Sequence, residues 1–221
     1  MEVLTHHLFN ADEINKMLIN IAEEESSWVD GKSTAGSHAA ISKNNRQLLR
    51  ESRTSQEQSE IVLKKMYSDM LIKSFSIPKH IHGLMFTRAT LNQGYGTHLD
   101  NAFMSSGRSD LSFTIFLNSP NDYEGGELCI QTIQNSEKIK LEPGHIVIYP
   151  STQLHSVEQV TSGERFACVG WIESYVSCNE DRNLLFGLDA GARGLLSTHG
   201  RSAELDLVFQ AYTNLLRRFG G

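Results

Sequence analysis

Residues 111–150 read LSFTIFLNSPNDYEGGELCIQTIQNSEKIKLEPGHIVIYP. Four runs, LSFTIFLN, GELCIQTI, EKIKLE and HIVIYP, are cut apart by Pro120 to Gly126, Asn135-Ser136 and Pro143-Gly144, residue types that turn a chain and end a ladder. Each run is too short for an ordinary helix and is rich in β-branched or aromatic residues, or alternates in polarity. The same texture extends outward: HGLMFTRAT and YGTHLD precede, and RFACVGWIES follows beyond a Ser162-Gly163 turn. So many short strands between residues 81 and 174 predict an α+β, mainly β fold whose core is a jelly roll, or double-stranded β-helix.

Helical periodicity flanks this core. Asn10 and Glu13 form a capping-box pattern ahead of Ile14, Met17, Leu18 and Ile21. A second helix is predicted from Ser55 to Met70, on the stripe Ile61, Val62, Met66 and Met70, with Pro78 to stop it. Leu205, Val208, Phe209, Tyr212, Leu215 and Leu216 mark a third, and the Gly-interrupted stretch before it reads as a short helix and loop. The expected division is a helical support region over 1–80, the jelly-roll core over 81–177 and a helical extension over 178–221, with helices buttressing one sheet.

The 20 Lys and Arg against 26 Asp and Glu give a net charge of −6, with no dense basic run. Such a balance offers a nucleic-acid backbone no obvious footprint. The three cysteines, Cys129, Cys168 and Cys178, are odd in number and have no Cys-x-x-Cys spacing, so reduced thiols are expected rather than a disulfide framework or structural zinc. The opening MEVLTHHLFN lacks the pattern of a secretory signal, and no apolar run approaches a membrane span, so a cytoplasmic protein is expected. His6 and His7 read as solvated residues of a chain end.

In YGTHLD, His98 and Asp100 are separated by one residue, so on an extended strand they share a face with backbone origins roughly 6.6 Å apart. His155 follows HIVIYP at a plausible strand start and can complete a set of two His and one Asp on one triangular face of an octahedral metal. A His-x-Asp pair alone is common by chance, and a core histidine is more frequent than a ligand. Arg165, ten residues beyond His155, alters the balance. It begins a strand with Ala167, Val169 and Trp171 on its own face, and an inward Arg needs an anionic partner. A dicarboxylate cosubstrate supplies one, gripped bidentately at one end and free to chelate iron at the other. Against this stands a surface salt bridge beside Glu164, the ordinary state of an isolated Arg. His80 and His82 share strand parity but have no carboxylate beside them, and His38, His145 and His199 need no metal.

These motifs, with WVDGKSTAGSHAAISKNNRQL near the N-terminus, DLSFTIFLNSP, YEGGEL, and DRNLLFGLD and YTNLLRRF near the C-terminus, resemble the PKHD-type hydroxylases nearly end to end. That family is a prolyl-hydroxylase-like branch of the Fe(II)- and 2-oxoglutarate-dependent oxygenases. The resemblance implies iron ligation by His98, Asp100 and His155, and 2-oxoglutarate binding by Arg165. It further implies Fe(II), 2-oxoglutarate and O2 as cofactor and cosubstrates, and ascorbate as an accessory. The expected reaction is hydroxylation of an unactivated C–H bond in a peptidyl or free amino acid or a small metabolite, releasing succinate and CO2, with a homodimer left open.

One departure stands out: relatives commonly carry Tyr nine residues before the first metal His, where this chain has Ala89. Tyr95 and Thr114, if Thr114 points inward, are the candidates for cosubstrate contacts, and Trp171 for a pocket wall. The loops from Gly31 to Asn45 and from Asn101 to Asp110 are expected to border the pocket. The competing readings are a cupin-like metal isomerase or a non-catalytic sensor on the same ligands, and a nucleic-acid dealkylase, which the acidic charge disfavours.

Overall fold

The computed structural model describes residues 3–34, 42–131 and 135–221. The N-terminal part carries β1 (Leu4–His7), α1 (Ala11–Ala22), β2 (Trp28–Asp30), β3 (Lys43–Asn44), β4 (Arg46–Leu48), α2 (Arg53–Ser68) and α3 (Met70–Ser76). There follow β5 (Pro78–Ala89), β6 (Gly94–His98), β7 (Phe103–Met104), β8 (Gly107–Arg108), β9 (Leu111–Phe116) and β10 (Tyr123–Gly125). The chain continues through β11 (Leu128–Gln131), β12 (Ser136–Ile139), β13 (His145–Pro150), β14 (His155–Val157), β15 (Val160–Gly163) and β16 (Arg165–Ser174). Two helices, α4 (Asn179–His199) and α5 (Ala203–Phe219), close it.

The strand LSFTIF is buried at all six positions because both of its faces are covered. It is the third strand of a seven-stranded sheet ordered β1-β13-β9-β16-β5-β4-β2. On the outer face, Leu111, Phe113 and Ile115 join Ile146, Ile148, Cys168 and Ile172. The same cluster takes in Ile14, Met17 and Ile21 of α1, Val62 and Met66 of α2, and Ile72 and Phe75 of α3. On the inner face Phe116, Val147 and Tyr149 meet Leu128, Ile130 and Ile139 of the second sheet, ordered β12-β11-β14-β6-β3. Each fully buried side chain of this size contributes roughly 1.5–3 kcal/mol, so apolar burial on both faces clamps the strand in one register. The result is the expected jelly roll backed by helices.

The Asn10 capping box is present, with Asn10 Oδ1 accepting from Glu13 N and Glu13 Oε2 from Asn10 N, both at 2.9 Å. The second predicted helix is broken. Asp69 turns extended after α2 and caps α3 by accepting from Ile72 N at 2.9 Å, an N-cap preference that overrides the continuing apolar stripe. The first 80 residues are also more than helical support: β1, β2 and β4 extend the large sheet and β3 the small one. His6 and His7 therefore lie in a paired strand, His6 Nε2 bonding Asp69 Oδ2 at 2.9 Å and His7 stacking on His145 at 4.8 Å. The two-residue and three-residue pairings are too short to leave a period in the sequence.

The stretch read as short helix and loop is instead the 21-residue α4. It docks through Leu185, which packs with Ile77 and Val176, while Tyr212, Leu215, Leu216 and Phe219 of α5 pack on the same cluster. Packing outweighs the intrinsic cost of Gly187, Gly191 and Gly194, whose Cβ positions meet nothing within 4 Å. Alanine at each of these positions should raise stability by roughly 0.5–1 kcal/mol, measurable as a higher thermal midpoint. A fall would show that the open face has an occupant in solution.

Cys129 and Cys168 are buried and Cys178 exposed, all as free thiols. No described helix is long and apolar enough to cross a membrane.

Candidate active site

The β6–β14 pair sets His98 directly opposite His155. Their ring centroids are 4.3 Å apart, and both side chains are buried. Each imidazole bonds through Nδ1 to a backbone carbonyl two residues earlier, His98 to Gly96 O at 2.8 Å and His155 to Gln153 O at 3.0 Å. A carbonyl only accepts, so Nδ1 carries the proton and Nε2 keeps its lone pair for a metal.

The sequence expectation had Asp100 on the same strand as His98, but β6 ends at His98 and Asp100 lies just beyond it. Its carboxylate is drawn back by Ser112, whose Oγ donates to Oδ2 at 2.5 Å and bonds Ser151 Oγ at 2.7 Å. Asp100 Oδ2 then stands 3.7 Å from His155 Nε2. The donor atoms of His98, Asp100 and His155 lie within 4.8 Å of one another, and among the described residues this is the one such His/Cys/Asp/Glu group. Two neutral imidazoles and a carboxylate on one side of a small space are a donor set suited to Fe(II) with coordination positions left open.

Burial pushes the His98 imidazole below its ordinary pKa of 6.5, helped by His155 and opposed by the Gly96 carbonyl and Asp100. The unfolded chain therefore takes up this proton first, and the metal-free protein should lose stability as pH falls below 6.5. Thermal midpoints of the metal-free protein should drop between about pH 7.5 and about pH 5.5, and the drop should be smaller in His98→Gln. An identical pH slope in that variant would remove His98 as its source.

The same cavity is lined by Arg165, 3 % exposed, at the first position of β16. Glu164 does not neutralise it, because Glu164 pairs with Arg88 at 2.8 Å. The guanidinium lies over the Phe116 ring at 5.6 Å, and its Nε and Nη2 are buried without a hydrogen-bond partner among the described residues. Burial presses its pKa down, opposed chiefly by Tyr123 and Tyr149, but a guanidinium stays charged. A buried cation with orphaned nitrogens is costly and suits an anionic ligand such as a carboxylate.

Thr114 lines the cavity from the inner face of β9, as its parity predicted, and Trp171 and Val169 line it from β16. Tyr95 lines it too, stacked on His98 at 3.6 Å, with burial and Asp100 pushing its phenol up to about 12. Lys43 Nζ sits 5.3 Å from the Tyr95 ring centroid. Burial, then Arg50, lowers its amine to about 8 against the pull of Asp100 and Asp30. Lys43, Asn45, Asn101 and Met104 lie on the wall, so both expected border loops contribute; residues 35–41, including His38, fall outside the described residues. Both ring nitrogens of His82 are engaged, bonding Ser106 Oγ at 2.8 Å and Arg108 O at 3.0 Å, which holds the 101–110 loop against β5.

Sequence reasoning missed Ser112, Tyr149 and Gln47. Ser112 and Tyr149 do leave a signal, since each alternates inward on a strand that the sequence discloses. Gln47 lies on a three-residue strand with no such signal.

Comparison with known proteins agrees with this geometry. Residues 84–173 match the 2OG-Fe(II) oxygenase superfamily. A PKHD-type hydroxylase of Prochlorococcus marinus strain MIT 9313 is 61% identical over 220 residues, covering 100% of both chains. Among solved structures, a prolyl hydroxylase from Trichoplax adhaerens, in complex with a hypoxia inducible factor oxygen degradation domain peptide fragment, superposes with a TM-score of 0.59. It is 12% identical, over 83% of this chain and 86% of that one. A non-heme alpha ketoglutarate dependent carbocyclase from nogalamycin biosynthesis superposes with a TM-score of 0.60 at 10% identity, over 79% and 80%.

Proposed function

Because the chain belongs to the PKHD-type hydroxylases of the 2OG-Fe(II) oxygenase superfamily, we propose that His98, Asp100 and His155 hold its Fe(II) and that Arg165 binds the far carboxylate of 2-oxoglutarate. The enzyme is a 2-oxoglutarate-dependent hydroxylase. When bound, iron with 2-oxoglutarate and O2 supplies the oxidising chemistry, placing a hydroxyl on an unactivated C–H bond as the cosubstrate becomes succinate and CO2.

The residues of the chain do the rest. Gly96 and Gln153 carbonyls fix the two imidazoles with Nε2 toward the cavity. Ser112 steadies the Asp100 carboxylate. Arg165 aligns a dicarboxylate by its remote end, so that the 2-oxo acid end faces the metal ligands across the cavity. The observation that carries this reading is the pairing, in one cavity, of a three-donor metal group with a buried guanidinium two of whose nitrogens lack a hydrogen-bond partner among the described residues. A cupin-like isomerase built on the same three ligands gives that guanidinium no dicarboxylate to meet, whereas a nucleic-acid dealkylase would use the same cosubstrate and is disfavoured instead by the net charge of −6.

The substrate we infer is a peptidyl or free amino acid, or a small metabolite, admitted past Lys43, Asn45, Tyr95, Asn101 and Met104. The related fold accommodates a peptide in one solved neighbour and serves a carbocyclase in another, so fold alone does not choose. Peptides, amino acids and metabolites should be screened for stimulated succinate release and for a product heavier by one oxygen atom. One class should show both in equal amounts; succinate release with no oxygen incorporated in any class would overturn the hydroxylase reading.

A further inference from the structure

Between residues 43 and 47 the chain crosses from one sheet to the other. Lys43, in β3, pairs with Tyr95 of the small sheet, and Gln47, in β4, pairs with Thr87 of the large one. The alternate side chains Lys43, Asn45 and Gln47 all line the cavity that holds the metal group, as do Tyr95 and Thr87. The period-two alternation of a strand therefore survives the crossing and gives the cavity a polar edge, an ammonium followed by two carboxamides. Gly31 makes room for that edge, since a Cβ there would collide with Asn45 Oδ1. Met85, Met104, Val169 and Trp171 make other parts of the wall apolar.

Lys43 is 4 % exposed, a burial that lysine rarely reaches. Its Nζ stands 5.3 Å from the centroid of Tyr95, whose ring stacks on His98 at 3.6 Å, so the ammonium is no farther from the His98 ring than those two steps together. A molecule the size of an amino acid spans that gap. Among the described residues Asp100 is the one carboxylate on the wall, against the cations Lys43 and Arg165. Fe(II) and the two carboxylates of 2-oxoglutarate offset each other and Asp100 offsets Arg165, which leaves the charge of Lys43. From off the wall Arg50 repels the ammonium and Asp30 attracts it, but Asp30 is exposed and screened by water. We propose that Lys43 is a specificity-determining residue that meets a carboxylate of the substrate, so that the enzyme hydroxylates a free amino acid or the C-terminal residue of a peptide. This rests on the reading of the cavity as an Fe(II) and 2-oxoglutarate site. Asn45 and Gln47 then face the amino or amide group beside that carboxylate, and the apolar wall faces the side chain. A carboxamide in place of the carboxylate brings no charge to a desolvated ammonium, so the site rejects it.

The test is succinate release by the Fe(II)-loaded protein with 2-oxoglutarate and four probe sets: free amino acids, the same amino acids as carboxamides, dipeptides with a free C-terminus, and dipeptide amides. Stimulation should be confined to compounds with a free carboxylate, each matching amide being weaker by about tenfold or more in kcat/KM. Whether amino acids or dipeptides respond identifies the source of the carboxylate. Lys43→Met should raise KM for the stimulating acid by about tenfold or more and bring acid and amide to within a small factor of each other. Its anaerobic charge-transfer titration with 2-oxoglutarate should match the wild type, which shows a folded variant with the cosubstrate site intact. Amides as effective as acids on the wild type, or no stimulation by any carboxylate-bearing probe, overturns the proposal without recourse to a variant. So does an acid preference that survives Lys43→Met, or a 2-oxoglutarate band weakened by it, which would put Lys43 in the cosubstrate site. A wild-type protein that gives no band with 2-oxoglutarate overturns the underlying reading instead, which separates the two failures.

Discussion

Arg165→Met is expected to weaken 2-oxoglutarate binding at least about a hundredfold while leaving iron affinity unchanged. Two charge-assisted bonds to one carboxylate contribute roughly 1.5–3 kcal/mol each, and methionine can replace neither. The residue lines the cavity but is not one of the three clustered metal donors, so the effect on iron should be small. The sign of the effect on stability is more telling. Arg165 is a buried cation with two nitrogens that lack a partner among the described residues, so removing its charge relieves a desolvation cost. The metal-free variant should melt no lower than the wild type, and a chelator-treated comparison by calorimetry checks it. A strong loss of stability would assign Arg165 to the scaffold rather than to a ligand.

His98→Ala is the second large effect. Removing one of three donors should lower iron affinity more than about a hundredfold, beyond what the loss of a supporting hydrogen bond costs. With iron gone, both 2-oxoglutarate binding at the metal and turnover should disappear. The substitution also removes the ring on which Tyr95 stacks and one wall against His155. His98→Phe keeps a ring of similar volume with no donor atom and should lose iron as well. If it retained iron while His98→Ala did not, His98 would be a packing residue. Equilibrium dialysis with metal analysis reads both variants.

The sequence disclosed the core strands because they are long and patterned. In LSFTIF the inward Ser112, Thr114 and Phe116 alternate with outward Leu111, Phe113 and Ile115, and in HIVIYP Val147 and Tyr149 alternate with Ile146 and Ile148. The His-x-Asp spacing, the later His155 and the inward Arg165 were local enough to read. What escaped depended on distant partners. A strand such as Lys43–Asn44 exists because Tyr95 and Gly94 are there to pair with it, and two residues carry no period. The extended conformation of Asp69, which splits one expected helix into two, follows from its cap to Ile72 and its bond to His6. The glycines of α4 read as breaks because helix propensity alone does not contain the docking of Leu185.

Within the site, Asp100 lies past the end of its strand, and its orientation is set by Ser112 from another strand. Tyr149 resembles any aromatic core residue until its neighbour His155 is seen. Ala89 showed that a familiar contact was missing, but not that Tyr123 fills its volume from a strand far along the chain. Side chains that face one another across a barrel carry no mark of it in the sequence.

The central claim is that one cavity binds iron through His98, Asp100 and His155 and 2-oxoglutarate through Arg165. Anaerobic addition of Fe(II) and then 2-oxoglutarate to the wild-type protein tests it most directly. The predicted result is a metal-to-ligand charge-transfer band that requires both additions and decays on admitting air as succinate forms. No band at saturating concentrations of both, or an equally strong and equally tight band in Arg165→Met, would contradict the account.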